Sequence, residues 1–245
     1  MEQRKILGII GGLGPMASAQ FLELLTAMTD AAADQDHIET ILYSKPQTPD
    51  RTAFLLRNST ENPLPDLIDS GKKLERLGAQ VLAIPCMTAY GFYDALADAF
   101  QAKLIHPILK TAELLKKYDV RAAGIMATDG SLQSGIFVNA LRSNGIRPIL
   151  PDEAHQAMVM EIIYRQVKCG RPADLGTFEA VRAHLAESGA EITLLGCTEL
   201  SVVKQMQPLS GGYLDMMEVL AASALEACGY RVREERMPRP AKGDK

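Results

Sequence analysis

Two hydrophobic patterns alternate along the chain: short apolar runs rich in β-branched residues, and longer stretches whose apolar positions recur at helical spacing. Lys5–Ile10 predicts a buried strand, after which Gly11-Gly12-Leu13-Gly14-Pro15 turns into a helix. That helix carries Phe21, Leu24, Leu25 and Met28 on one face, with Pro15 suited to its first turn. Glu39–Tyr43 predicts a second strand. The segment Lys45–Pro65, with Pro46, Pro49, Pro63 and Pro65, predicts a loop with a short helical piece near Thr52–Arg57. A helix with Leu67, Ile68, Leu74 and Leu77 on its apolar face then leads to the strand Val81–Ile84, which ends at Pro85-Cys86.

The second half repeats the scheme. Arg121–Ala127 predicts a strand, followed by the polar turn Thr128-Asp129-Gly130-Ser131 and a helix. Ile146–Leu150 predicts the next strand, and the helix after it carries Met158, Ile162, Ile163 and Val167. A helix over about Ala173–Glu187 leads into the strand Glu191–Leu195 and Gly196-Cys197. GAQVLAIPC (Gly78–Cys86) lies over GAEITLLGC (Gly189–Cys197) without a gap, and Gly8-Ile9 matches Gly124-Ile125 at nearly the same offset. Two matches at nearly one offset indicate an internal duplication.

Alternating strands and helices build parallel sheets covered by helices. The prediction is therefore an α/β fold of two pseudo-duplicated lobes, each a parallel sheet flanked by helices, with the active site in the cleft between them. Residues 1–105 plus 207–230 are expected to form the first lobe, with the C-terminal helix near Asp215–Ala227 returning to it. Residues 106–206 form the second lobe, and 231–245 a disordered tail.

Composition narrows the function class. Hydrophobic residues are 47% and charged residues 23%, ordinary for a globular chain, so disorder is excluded as the main state. No apolar run reaches membrane-spanning length, and the N-terminus lacks a signal-peptide core, which makes a cytoplasmic location and no membrane partner the expectation. A net charge of −4, 5% aromatics and no tryptophan argue against a nucleic-acid partner. Cys86, Cys169, Cys197 and Cys228 include no CxxC pair, and His37, His106, His155 and His184 show no metal-ligand spacing, so neither a disulfide framework nor a metal is expected.

Ligands of open parallel sheets bind beyond the carboxyl ends of strands. Cys86 and Cys197 both lie there, each ahead of a predicted helix whose N-terminus would lower a thiol pKa, and each with a threonine just after it. Two thiols on opposite walls of one cleft suit the removal of a proton from one face of a carbon and its return to the other. Cys169 and Cys228 fall near helix C-termini and read as structural. Gly12-Leu13-Gly14-Pro15-Met16-Ala17 fits a dinucleotide fingerprint formally, but the second strand ends Leu42-Tyr43-Ser44 without the acid that fingerprint requires. The glycines instead let the backbone turn tightly beside a small ligand.

GIIGGLGPMAS, PDRTA at Pro49–Ala53, IPCMTA around Cys86 and LGCTEL around Cys197 together resemble the cofactor-independent aspartate/glutamate racemase superfamily, in its aspartate racemase branch. The resemblance runs from about Ile6 to Glu199. It implies an isomerase of acidic amino acids, without cofactor or metal, working as a homodimer. It makes Cys86 and Cys197 the opposed acid and base. Leu13, Met87, Thr88, Thr128, Thr198 and Glu199 fall at pocket positions, and Arg51 and Lys168 at positions that reach a substrate carboxylate. One departure matters: the family usually has asparagine where Met87 stands and histidine where Tyr90 stands. Met87 cannot donate a hydrogen bond. That keeps alternatives open: a related isomerase, hydantoin racemase or decarboxylase acting on another carboxylic acid, or an acid-binding protein with impaired catalysis.

Overall fold

The computed structural model describes residues 4–209 and 211–240, in which the strands form two four-stranded parallel sheets. The first holds β1 (Leu7–Gly11), β2 (Thr40–Ser44), β3 (Val81–Ala83) and β4 (Lys103–Leu104) in the order β2-β1-β3-β4. The second holds β5 (Ala122–Met126), β6 (Arg147–Ile149), β7 (Ile192–Leu195) and β8 (Tyr213–Asp215) in the order β6-β5-β7-β8. Every pairing within the sheets is parallel. The same strand order in both halves is the three-dimensional form of the repeat seen in the sequence.

Helices α1 (Pro15–Met28), α2 (Arg51–Leu55), α3 (Leu64–Arg76) and α4 (Tyr93–Ala99) belong to the first unit. The second unit opens with α5 (Pro107–Lys117) and continues through α6 (Asp129–Gln133), α7 (Ile136–Ser143), α8 (Glu153–Glu161), α9 (Leu175–Glu187) and α10 (Thr198–Met206). Then α11 (Met216–Ala227) takes the chain into the first unit, where the Lys5 N–H donates to Cys228 O at 3.0 Å. Among the described residues no helix is long and apolar enough to cross a membrane.

Burial explains the sequence pattern. Strand β1 reads LGIIG and is buried throughout, as a parallel strand covered on both faces must be. The repeated glycines have a packing reason. A Cβ on Gly8 would meet Ala79 Cβ and Leu82 Cδ2 at 2.8 Å, and one on Gly124 would meet Leu185 Cβ at 3.0 Å. Each glycine thus lets neighbouring side chains lie against the first strand of its sheet. In the second unit Phe178, Val181 and Leu185 of α9 complete a core with Met126, Leu195 and Leu200.

Four sequence expectations need correction. The first lobe was expected to include 207–230, but β8 pairs with β7, so the stretch up to Met216 belongs to the second unit. Strands β4 and β8 were missed, being too short to show a periodicity. Leu77 is 65% exposed, while Ser70 and Gly71 take the buried face of α3 beside Leu67 and Leu74. The tail after residue 230 is not disordered up to Pro240: Val232 bridges Thr29, and the Arg233 N–H donates to Met28 O at 2.9 Å. Residues 241–245 of that expected tail lie outside the described residues.

Candidate active site

In each sheet the first strand has the second on one side and the third on the other, so the chain leaves it in opposite directions. A crevice opens beyond the carboxyl ends of strands at such a switch point. In the first unit the flanking segments are Gly12-Leu13 after β1 and the Cys86 turn after β3. Gly12 has a φ of +90°, and a Cβ there would lie 2.5 Å from the Lys45 main chain, so no other residue fits without displacement. Ser18 fixes this loop by accepting from the Gly12 N–H at 2.9 Å and donating to Gly14 O at 2.9 Å. The buried Arg51 closes it from the other side. Its guanidinium donates to Leu13 O at 3.1 Å, Pro49 O at 2.9 Å and Thr48 O at 3.2 Å.

Cys86 caps a 3-10 turn over Met87–Phe92, and Cys86, Met87 and Thr88 are all buried. Behind them Tyr90 is buried, and its phenol oxygen accepts from the Ile84 N–H at 3.2 Å. Burial pushes that phenol pKa far up, so Tyr90 stays protonated. His106 lies with its ring centre 5.6 Å from Tyr90 and 4.2 Å from Tyr93, and burial pushes its pKa down to about 4.

The second unit repeats the arrangement with different chemistry. Thr128 follows β5 and caps α6, its Oγ1 accepting from the Ser131 N–H at 3.3 Å and lying 3.0 Å from Ser131 Oγ. Cys197 follows β7 and caps α10. Glu199, 5% exposed, gathers the neighbouring groups. Its Oε2 accepts from the Cys197 thiol at 2.8 Å and from Thr198 Oγ1 at 3.3 Å, and its Oε1 pairs with Lys168 Nζ at 2.5 Å. Lys168 comes from the turn Val167–Cys169, which follows a π-helical turn over Ile162–Gln166 at the end of α8. Ser201 donates to Asp215 Oδ1 at 2.6 Å, a buried bond that holds α10 to β8.

This network overturns one expectation. The helix start was expected to lower the thiol pKa, but the Cys197 pKa is raised well above the usual range. Burial is the main cause and the Glu199 carboxylate the next, with Lys168 acting in the opposite sense. Cys197 therefore rests as a thiol that donates its proton to a carboxylate. The remaining cysteines also divide: Cys228 is buried, which pushes its pKa up to about 12, whereas Cys169 is exposed and donates to Tyr164 O at 3.3 Å.

Within the first unit the structure joins Leu13 to Arg51 and sets Cys86, Met87 and Thr88 in one turn. Within the second it joins Lys168, Glu199, Cys197 and Thr198 in one network, with Thr128 at the neighbouring strand end. Ser18 and Ser131, which fix the loops after β1 and β5, were missed. Their sequence signal is a serine close behind a glycine, Gly14 ahead of Ser18 and Gly130 ahead of Ser131.

Residues 10–224 match the family model described as Asp/Glu/Hydantoin racemase. A curated relative, the broad specificity amino-acid racemase RacX of Bacillus subtilis, is 26% identical over 207 residues, covering 81% of this chain and 87% of the relative. The aspartate racemase of Picrophilus torridus is 31% identical, with a TM-score of 0.78 over 95% of this chain and 97% of that one. Glutamate racemase from Francisella tularensis shares the fold at 15% identity, with a TM-score of 0.61 over 93% of this chain and 81% of that one.

Proposed function

The chain belongs to the Asp/Glu/Hydantoin racemase family, and from that premise we propose that it is an amino-acid racemase in which Cys86 and Cys197 exchange the α-proton from opposite faces. The observation that carries the reading is their equivalence. Each thiol follows the third strand of a sheet with the same strand order and stands at the start of a helical turn.

In this reading the substrate's α-carboxylate is held by main-chain N–H groups of the two helical starts and by Thr88 and Thr198. Those donors stabilise the negative charge that develops when the α-proton leaves. The Cys86 thiolate takes the proton, forming its S–H bond as the C–H bond breaks. The Cys197 thiol then donates its own proton to the opposite face, leaving a thiolate ready for the reverse reaction. The chemistry uses only side chains and main-chain donors. A homodimer in the cytoplasm is part of the same reading, and sedimentation of the purified protein checks the oligomer.

Two substrate classes compete. An acidic amino acid is favoured by the family and by the 31% identity to an aspartate racemase, with Lys168 as the cation for its distal carboxylate. A broader range is favoured by apolar Met87 in the Cys86 turn and by the engagement of three Arg51 N–H groups with main-chain carbonyls. Proton NMR of L-aspartate, L-glutamate, L-methionine and L-lysine in deuterium oxide, followed by chiral analysis, separates the two. Exchange confined to the acids supports the first, and exchange across the set the second. Full racemisation by Cys86→Ala or Cys197→Ala would remove the two-thiol mechanism.

A further inference from the structure

Asp152, His155 and His184 form a cluster in the second unit that the proposed racemisation does not use. Asp152 caps the start of α8, and Oδ1 accepts from the His155 N–H at 2.9 Å while lying 2.7 Å from His155 Nδ1. From the last turn of α9, His184 places Nε2 3.4 Å from the Asp152 N–H and 3.8 Å from Oδ2. The two imidazoles stack, with centres 3.9 Å apart and planes 12° apart. One ligand atom from each residue lies within 4.8 Å of the others.

Two imidazoles and a carboxylate are a donor set for a divalent transition metal, and zinc above all. Around a tetrahedral ion with bonds of about 2.0–2.2 Å, ligand atoms stand about 3.3–3.5 Å apart. The separations, 2.7 Å from Oδ1 to His155 Nδ1 and 3.8 Å from Oδ2 to His184 Nε2, bracket that value, and the two rings must turn out of their near-parallel stack for both lone pairs to meet one ion. His184 Nε2 accepts from the Asp152 N–H, so coordination exchanges that hydrogen bond for a metal bond. The imidazole side chains are 25% and 23% exposed, held by the helices yet open to solvent for a fourth, water ligand.

We propose that Asp152, His155 and His184 bind a divalent transition-metal ion, zinc in the first instance, clamping the start of α8 to the end of α9. Binding shifts the His155 proton from Nδ1 to Nε2 and requires no redox step. Because α8 continues through the π-helical turn to Lys168, the clamp anchors the far end of the segment that carries this lysine.

The test uses untagged, reduced, full-length protein with zinc chloride alone, so it does not depend on turnover or on the racemase reading. Titration calorimetry should give one ion per chain, and a hundredfold excess over Kd should raise Tm by about 5–10 °C. His184→Gln, and Asp152→Asn, which keeps the helix cap, should each weaken binding at least tenfold. Cobalt(II) supplied in place of zinc should give weak visible bands without thiolate charge transfer. No stoichiometric binding, unchanged affinity in both variants, or a thiolate charge-transfer band placing the ion on a cysteine would each overturn the proposal.

Discussion

Replacing Glu199 by glutamine should lower the pKa of Cys197 and make this thiol easier to alkylate. The carboxylate oxygen lies 2.8 Å from Sγ, and Glu199 is 5% exposed, so bulk salt screens the pair poorly. At about 4 Å and an effective dielectric of about 20, two like charges repel by about 4 kcal/mol, the most that removing the carboxylate charge could return. The amide keeps part of the dipole and burial of the thiol persists, so the expected change is a fall in pKa worth less than that ceiling. Lys168 would lose this ion pair, but at 26% side-chain exposure it can turn to water, holding the folding cost to about 1–3 kcal/mol. The assay is the pH dependence of iodoacetamide alkylation in a Cys86→Ala, Cys169→Ala background, which leaves buried Cys228 as an internal reference. A profile that stays in place or moves to higher pH, in a variant with native circular dichroism, would refute the electrostatic argument.

Arg51→Ala should destabilise the first unit by about 2–4 kcal/mol, since three main-chain carbonyls lose a charged donor, and Arg51→Lys should restore only part. Native urea stability with lost activity would instead make Arg51 a substrate ligand. His106, pushed down to about 4 by burial, remains neutral in the fold at a pH where the unfolded chain takes up its proton. Its contribution is therefore complete above pH about 6.5 and declines as pH falls through about 4, by less than about 3 kcal/mol because the ring is only partly buried. Urea titrations of His106→Gln should show a shallower acid slope, and an unchanged slope would contradict the burial argument. Gly124→Ala should cost about 1–3 kcal/mol in thermal unfolding, because its Cβ would press on Leu185 and Ala190.

The sequence made the long buried strands and the strand-end cysteines legible, because burial on both faces leaves a continuous apolar run and a duplication shows up as aligned letters. It did not reveal β4 or β8, where two or three residues form an edge with no period to detect. Leu77 looked like a core residue by spacing, yet it falls beyond the last turn of α3. The helix start after β7 points to a lowered Cys197 pKa, but burial and the carboxylate two residues on outweigh it. Arg51 has the residue type for a carboxylate clamp, and only the fold shows that three of its N–H groups also hold the Leu13, Pro49 and Thr48 carbonyls. Asp152 and His155 are neighbours in sequence, whereas His184 joins them from another helix, so no spacing rule could have found the cluster.

The two strand-end turns share a backbone plan but not a charge pattern: Cys197 has Glu199 and Lys168 beside it, whereas the next residues after Cys86 are Met87 and Thr88. For the proposed reaction that asymmetry has a thermodynamic limit. Mirror-image amino acids have equal free energies in water, so their equilibrium ratio is one and kcat/KM must be the same in both directions. Glu199 therefore cannot favour one enantiomer in the final mixture. It can only trade turnover against saturation, giving one hand the higher kcat and, in the same proportion, the higher KM.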